Sequence, residues 1–229
     1  MQGSGALCPL CDRLLRLATL AVEPTAVAYA RLPIYTAGRY EYELARCILA
    51  FKDGGRTDLA PYLVSALNRS LLALLAGTGS RSSGRPLHLV PLPSSRAATR
   101  RRGYAPAPLL ASALVRAVRG QVDVRVLPVL EPVPTWCRPG VGHRTGAQKT
   151  LSKYDRQRAM NGKLRLGQPL FHSLGRSYKL AGARCILVDD VVTTGASLAE
   201  AQRLLRQAGV LVEGAIAVAR VPRVDLANT

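Results

Sequence analysis

Residues 185–197 of this 229-residue chain read CILVDDVVTTGAS, an apolar run that ends in two carboxylates and a hydroxyl-rich turn. The continuous apolar residues Ile186, Leu187 and Val188 are typical of a central strand that is covered on both faces. The next residues, SLAEAQRLLRQAG, have the pattern of a helix. A strand, a turn and a helix in this order predict a ligand crevice at the carboxyl end of the strand in an open α/β sheet.

The turn itself has the features of a phosphate site. A helix N-terminus presents unpaired N–H groups and a partial positive charge, both of which favour an anion. Gly195 allows close approach of the backbone, and the neighbouring hydroxyl groups add donors. The predicted phosphate-binding turn comprises Val192, Thr193, Thr194, Gly195, Ala196 and Ser197.

Asp189 and Asp190 stand directly before this turn, where two negative charges would oppose a bare phosphate. They are suitable if the ligand also carries hydroxyl groups, because a carboxylate accepts hydrogen bonds from a vicinal diol. They also suit a Mg²⁺ ion bound through its waters. A ribose 5-phosphate has both a diol and a phosphate. The alternative is that the aspartates only begin a turn and that Thr194 only caps the helix, but the order of the elements favours the ligand.

Composition and charge narrow the class of protein. The formal charge is +18, and residues 96–165 hold 15 basic residues against three acidic ones. Such a field attracts phosphates, either of a nucleotide or of a nucleic acid. The five cysteines are an odd number, and the apolar stretch 14–33 is interrupted by Arg16, Glu23 and Pro24. We therefore expect a cytoplasmic protein without disulfides, export signal or membrane insertion.

Strand and helix patterns alternate along the chain from about residue 87 and predict a central, mostly parallel sheet flanked by helices. Predicted strands are LHLVPLP, VRVLPVL, 163–171, ILVDD and LVEGAIAVAR, and predicted helices cover 104–120, about 148–160 and about 196–207. Upstream, IYTAGRYEY predicts a strand or hairpin, and two helices follow, the second from Thr57 to Leu75 with Thr57 as its N-cap. Residues 131–150 are rich in Pro and Gly and predict a long functional loop.

The stretch CILVDDVVTTGAS resembles the 13-residue signature of type I phosphoribosyltransferases. Three more segments resemble the competence-protein ComF subfamily of that fold: ILAFKDGGR at 48–56, VPLPSSRAATRRRGYAPA at 90–107 and TGAQKTLSKYDR at 145–156. The resemblance runs from about residue 34 to residue 220. It implies an α/β type I phosphoribosyltransferase fold in a domain that comprises residues 34–229.

The resemblance also implies the roles of individual residues. Asp189 and Asp190 would hold the ribose hydroxyls of phosphoribosyl pyrophosphate, and the turn would hold its 5-phosphate. Mg²⁺ would arrive with the substrate, with no protein side chain assigned as its ligand. The implied pyrophosphate site comprises Pro93, Ser94, Ser95, Arg96 and Arg102, and the implied closing loop carries Arg144, Gln148, Lys149 and Arg156.

The N-terminal residues 1–33 depart from the family pattern. ComF proteins carry a zinc ribbon with two Cys-x-x-Cys pairs, whereas this chain has only Cys8 and Cys11 there. Four thiolates close a tetrahedral zinc site and two do not. We expect a degraded ribbon without zinc; a site shared between two subunits of a homo-oligomer is the alternative.

Together these features predict a protein that binds phosphoribosyl pyrophosphate or a ribonucleotide, most simply a phosphoribosyltransferase related to the ComF proteins of DNA uptake. Its acceptor is open, because no nucleobase-binding element is evident in the sequence. The alternative from another class is a single-stranded DNA-binding protein of natural transformation or recombination, whose phosphoribosyl site is regulatory or vestigial. A third is a regulator that binds the diphosphate and signals nucleotide status without turnover.

Overall fold

A six-stranded sheet is the centre of the computed structural model, which describes residues 6–79, 86–133, 163–167 and 180–222. The strands are β1 (Glu23–Pro24), β2 (Ile34–Arg39), β3 (Leu87–Pro91), β4 (Val124–Val126), β5 (Leu130–Pro132), β6 (Leu164–Leu166), β7 (Arg184–Val192) and β8 (Leu211–Arg220). The helices are α1 (Pro9–Ala18), α2 (Tyr42–Lys52), a 3₁₀ turn (Thr57–Leu59), α3 (Ala60–Thr78), α4 (Arg96–Arg102), α5 (Pro106–Ala117) and α6 (Ala196–Gln207).

The strand order in the sheet is β1-β2-β8-β7-β3-β4. Every neighbouring pair is parallel except β1 and β2 at the edge, and β5 pairs with β6 in a separate antiparallel ribbon. The predicted α/β fold with a mostly parallel central sheet is therefore confirmed.

Both faces of the sheet are covered, which explains the unbroken apolar run in β7. Ile186 and Val188 face a core formed with α1, α2, α3 and α5. Cys185 and Leu187 face the opposite core, formed with α6 and the β5–β6 ribbon. Successive strand residues point to opposite faces, so the two cores alternate along the strand.

One helix of the described residues, Thr57–Thr78, is long and apolar enough by length and composition to cross a membrane. Half of its most apolar window is buried within the fold, and Leu63, Leu67 and Leu71 contribute to the core. A buried core helix can have the same length and apolar composition as a membrane span, so these two properties are weak evidence for a membrane.

Several boundaries differ from those predicted. Thr57 opens the 3₁₀ turn and is not an N-cap, because α3 begins only at Ala60. No helix is predicted over Arg96–Arg102, yet these residues form α4, whose N-cap is Ser95: its Oγ accepts the Ala98 N–H at 3.2 Å. Strand 163–171 is seen as β6 over Leu164–Leu166, and the predicted helix near 148–160 lies outside the described residues.

The N-terminal segment contributes α1 and then β1, which pairs with β2. Cys8 and Cys11 lie at the start of α1, and Leu15 of the same helix is buried in the core. The predicted domain boundary between residues 33 and 34 stays a prediction.

Candidate functional site

The site follows from the connections of β3 and β7, which lie side by side in the sheet. The chain leaves β3 through α4 and α5 to reach β4 on one side, and leaves β7 through α6 to reach β8 on the other. The carboxyl ends of these two strands therefore flank a topological switch point, where open α/β sheets bind ligands.

A solvent-open cavity of about 270 Å³ lies at this point. It brings together seven of the residues predicted from sequence: Pro93, Ser94, Ser95, Arg102, Asp189, Asp190 and Ser197. The remaining lining residues are Lys52, Leu92, Ala98, Ala107 and Leu164. Arg96 is exposed and does not line this cavity. The predicted loop residues Arg144, Gln148, Lys149 and Arg156 lie outside the described residues.

The acidic pair lies within β7, which continues to Val192. Neighbouring residues of a strand point to opposite faces, so Asp190 lies on the α2 side and Asp189 on the α6 side. Asp189 Oδ1 accepts the Asp190 N–H at 2.9 Å, and Asp190 Oδ1 accepts the Val191 N–H at 2.8 Å. Each carboxylate is thus oriented by the backbone amide that follows it.

Lys52 holds Asp190 from the end of α2, a contact that the sequence did not predict. Its Nζ lies 2.8 Å from Oδ2 and 3.1 Å from Oδ1 of Asp190. The Asp190 side chain is 8% exposed and that of Lys52 is 30% exposed. The pair is therefore buried on the carboxylate side and open to the cavity on the ammonium side.

Within the described part of the chain, Asp189 has no ion-pair partner of its own. Burial raises its pKa well above the usual range, and the adjacent Asp190 carboxylate raises it further, while Lys52 partly opposes both effects. A ligand that donates hydroxyl groups or brings a cation would favour the ionised form. The negative charge of the acidic pair is therefore only partly balanced by Lys52.

The arginines of α4 are connected to the same end of α2. Arg102 donates from Nε to Asp53 Oδ1 at 2.9 Å, and Arg101 Nη2 lies 3.5 Å from the same oxygen. This hydrogen bond from Arg102 lowers the pKa of Asp53. Arg102 is held at the cavity wall, while Arg96 and Arg100 face solvent.

The turn before α6 combines packing and capping. Gly195 has φ +76°, and a Cβ there would overlap Val27 Cγ2, so protein fills the space beside it. The expectation that Gly195 makes room for a ligand is therefore wrong on the side that Val27 occupies. Thr194 Oγ1 accepts the Ala196 N–H at 3.4 Å within the turn, but the N-cap of α6 is Gly195, so the alternative that Thr194 caps the helix is wrong. Of the six turn residues, Ser197 lines the cavity.

Tyr104 packs behind the site. Its ring meets Phe51 edge to face, with centroids 5.6 Å apart. Its hydroxyl is buried without a hydrogen-bond partner among the described residues, and burial raises its pKa.

Lys52, which lines the cavity, and Asp53, which holds Arg102 at its wall, are charged residues that the sequence did not assign to the site. The segment ILAFKDGGR drew attention through its resemblance to ComF proteins, and that was the available signal. Nothing local indicates that Lys52 pairs with a residue 138 positions away.

Comparisons with known proteins were made by sequence and by structure. Adenine phosphoribosyltransferase from Saccharomyces cerevisiae, complexed with D-2,5-dideoxy-2,5-imino-altritol 1,6-bisphosphate and adenine, is similar at 15% identity and a TM-score of 0.37. The alignment covers 93% of this chain and 90% of that one. A search of curated proteins found no match. Residues 100–224 match the family model described as the phosphoribosyl transferase domain. Because that match covers more than half of the chain, the protein belongs to the phosphoribosyl transferase domain family.

Proposed function

We propose that the chain binds phosphoribosyl pyrophosphate together with Mg²⁺ and transfers the phosphoribosyl group to a nitrogen acceptor. One observation carries this proposal: the acidic pair of β7, the loop after β3 and the start of α6 line a single cavity at the switch point. Membership of the phosphoribosyl transferase domain family supports it.

Each wall of the cavity has a part in this function. Asp189 and Asp190 accept the ribose hydroxyls, which relieves the charge that burial disfavours. Ser197 and the N-terminus of α6 receive the 5-phosphate. The loop Pro93–Ser95 and the Arg102 guanidinium receive the diphosphate, and Lys52 adds a second cation to the same cavity.

The donor set fits Mg²⁺ only as an ion that comes with the substrate. Hard carboxylate oxygens are present at Asp189 and Asp190, but the described residues contain no cluster of three or more His, Cys, Asp or Glu that could hold a metal. These two carboxylates would bind the ion's waters, and its charge would neutralise the leaving diphosphate.

In the proposed reaction, the acceptor nitrogen forms a bond to C1 of the ribose as the bond from C1 to the diphosphate oxygen breaks. Pyrophosphate leaves with the electron pair, and the acceptor's proton passes to solvent. The chain contributes position and charge stabilisation. Asp189 and Asp190 fix the sugar while Arg102 and Lys52 face the departing charge.

Isothermal titration calorimetry with phosphoribosyl pyrophosphate tests the proposal. The double variant Asp189→Asn/Asp190→Asn should weaken Mg²⁺-dependent binding at least about 100-fold, since two charge-assisted contacts are lost. The matched control Asp12→Asn/Asp123→Asn removes two carboxylates outside the cavity and should bind as the wild type does. Unchanged affinity in the double variant would refute the site.

Turnover is tested separately by measuring pyrophosphate release in the presence of free nucleobases and simple amines. If pyrophosphate is released only when one of these compounds is present, that compound identifies the chemical class of the acceptor. Tight binding without release from any acceptor would contradict the transferase and leave a regulator that binds the diphosphate.

A second candidate function, binding of single-stranded DNA in a ComF-like role, is favoured by α4. Arg96, Arg100 and Arg101 are exposed on this helix beside the cavity. Fluorescence anisotropy with oligonucleotides should then show affinity that falls with salt, by about 0.7 in log–log slope for each phosphate contact. Replacing these three arginines with alanine should reduce that slope, whereas Arg13, Arg116 and Arg119, also exposed, provide a matched triple control.

A further inference from the structure

Cys8 directly precedes α1, Cys11 lies in its first turn, and the two residues are in direct contact. Cys8 is the N-cap of the helix, and its Sγ accepts the Cys11 N–H at 3.4 Å. Both residues are exposed. As the N-cap, Cys8 has extended backbone angles of φ −67° and ψ 158°, and its side chain reaches over the first turn to Cys11. A Cys-x-x-Cys pair at a helix start is a spacing that a disulfide can close.

The other described cysteines differ sharply from this pair. Cys47 and Cys185 are buried in the two cores. Burial raises the pKa of Cys47 to about 11 and that of Cys185 to about 12. Neither thiol ionises near neutral pH, so reactive thiol chemistry in the described part of the chain belongs to Cys8 and Cys11.

The pair is not the nucleus of a metal site within the described residues, because no group of three or more His, Cys, Asp or Glu there could hold an ion. Two thiolates would fill half of a tetrahedral shell. What two adjacent exposed thiols can do by themselves is exchange two electrons with a disulfide.

The two thiols are also unequal. The backbone N–H of Cys11 lowers the pKa of Cys8, whereas the Cys8 sulfur raises the pKa of Cys11. Two charges on α2 also act on Cys11: Glu43 raises its pKa and Arg46 lowers it. Cys8 is therefore the attacking sulfur, and Cys11 keeps its proton until the second step.

We propose that Cys8 and Cys11 are a thiol–disulfide exchange site that reacts with low-molecular-weight disulfides. The Cys8 thiolate attacks one sulfur of the small disulfide, forming a mixed disulfide and releasing one thiolate. Cys11 then loses its proton to solvent and attacks the Cys8 sulfur, releasing the second thiolate. Two protein thiols and one disulfide thus become one protein disulfide and two small thiols.

The experiment uses the full chain with Cys137→Ser in every variant, because that cysteine lies outside the described residues. The protein is equilibrated in glutathione buffers of defined ratio, quenched in acid, and examined by peptide mass spectrometry. We expect a Cys8–Cys11 disulfide that reverses with reduced glutathione, while Cys47 and Cys185 are alkylated only after unfolding.

Two single variants distinguish the roles of the sulfurs. Cys11→Ser should stop the reaction at a stable glutathione adduct on Cys8. Cys8→Ser removes the sulfur that raises the pKa of Cys11, so the remaining difference comes from the Cys11 N–H that lowers the pKa of Cys8. Glutathione disulfide at pH 7 should therefore still react more slowly with Cys11 in Cys8→Ser than with Cys8 in Cys11→Ser. Equal rates for Cys8 and Cys11 in the two variants would refute the assignment of Cys8 as the attacking sulfur.

Two outcomes would overturn the proposal as a whole. One is a pair that stays reduced in every glutathione ratio. The other is stoichiometric zinc, measured by mass spectrometry under native conditions, that blocks alkylation of both cysteines.

Discussion

Replacing Lys52 with methionine should destabilise the protein far more than an ordinary surface lysine would. The substitution keeps the length and apolar body of the side chain and removes the ammonium group. Its partner Asp190 has a side chain that is only 8% exposed, so the carboxylate would lose the cation that compensates its burial. The adjacent Asp189 would also lose a favourable charge.

The size of the effect follows from the exposure of the two partners. Breaking a fully buried ion pair costs about 3–5 kcal/mol, whereas an exposed pair contributes about 0–1 kcal/mol. Lys52 is 30% exposed at the cavity, so water can partly replace it. We therefore expect the free energy of unfolding to fall by about 2 kcal/mol. For a chain of this size that corresponds to a midpoint lower by roughly 4–8 °C.

Thermal unfolding followed by circular dichroism measures this directly. The control is Arg16→Met, which removes a cation from an exposed i,i+4 pair with Asp12 and should change stability by less than about 0.5 kcal/mol. A double-mutant cycle with Asp190→Asn should give a coupling energy above about 1 kcal/mol. Equal midpoints for Lys52→Met and Arg16→Met, or additive effects in the cycle, would refute the argument.

Three further substitutions test other parts of the site by the same unfolding assay. Asp189→Asn keeps the oxygen that accepts the Asp190 N–H and removes a carboxyl whose pKa is raised in the folded state. The wild type therefore loses stability as the pH rises above the unfolded value of 3.8, and the variant should be the more stable protein near neutral pH, with the difference closing toward pH 4. Tyr104→Phe removes a buried hydroxyl that lacks a partner among the described residues, so stability should stay equal or rise by up to about 1 kcal/mol; a clear loss would reveal a missed hydrogen bond. Gly195→Ala should lower the free energy of unfolding by about 2–4 kcal/mol, because left-handed backbone strain adds to overlap with Val27. Gly120→Ala, at φ +83° with open space around it, should lower it by only about 1 kcal/mol. Equal losses of stability in the two variants would show that the overlap with Val27 has no effect.

The elements near the C-terminus could be predicted closely because their signals are local. Apolar periodicity and bounding glycines place α6 at Ala196–Gln207 and β8 at Leu211–Arg220, as the sequence predicts. The sequence also predicts that Asp189 and Asp190 lie near the carboxyl end of their strand, where β7 has them. Their strand runs on to Val192 because Val191 and Val192 pair with Ala219 and Arg220 of β8, and no local pattern encodes that register.

No helix was predicted over Arg96–Arg102, a segment without apolar periodicity. None of its residues is buried, so packing could not have revealed the helix either. Two local features bound α4: Ser95 caps its start, and Gly103, in the left-handed region at φ +80°, ends it. The local signal in the sequence is the capping Ser95, followed after Arg96 by the helix formers Ala97 and Ala98.

The charges around the cavity explain why the proposed function should depend strictly on Mg²⁺. Among the described residues that line the cavity, two carboxylates, Asp189 and Asp190, stand beside two cations, Lys52 and Arg102. These four side chains add no net positive charge when all are ionised, in contrast to the +18 of the whole chain. A substrate with a 5-phosphate and a diphosphate would bring several negative charges to a site without surplus positive charge. The start of α6 can receive the 5-phosphate, but the diphosphate would lie near the acidic pair without a surplus of lining cations. The carboxylates that would repel the bare substrate favour its magnesium complex, so we expect the acidic pair and Mg²⁺ to act together.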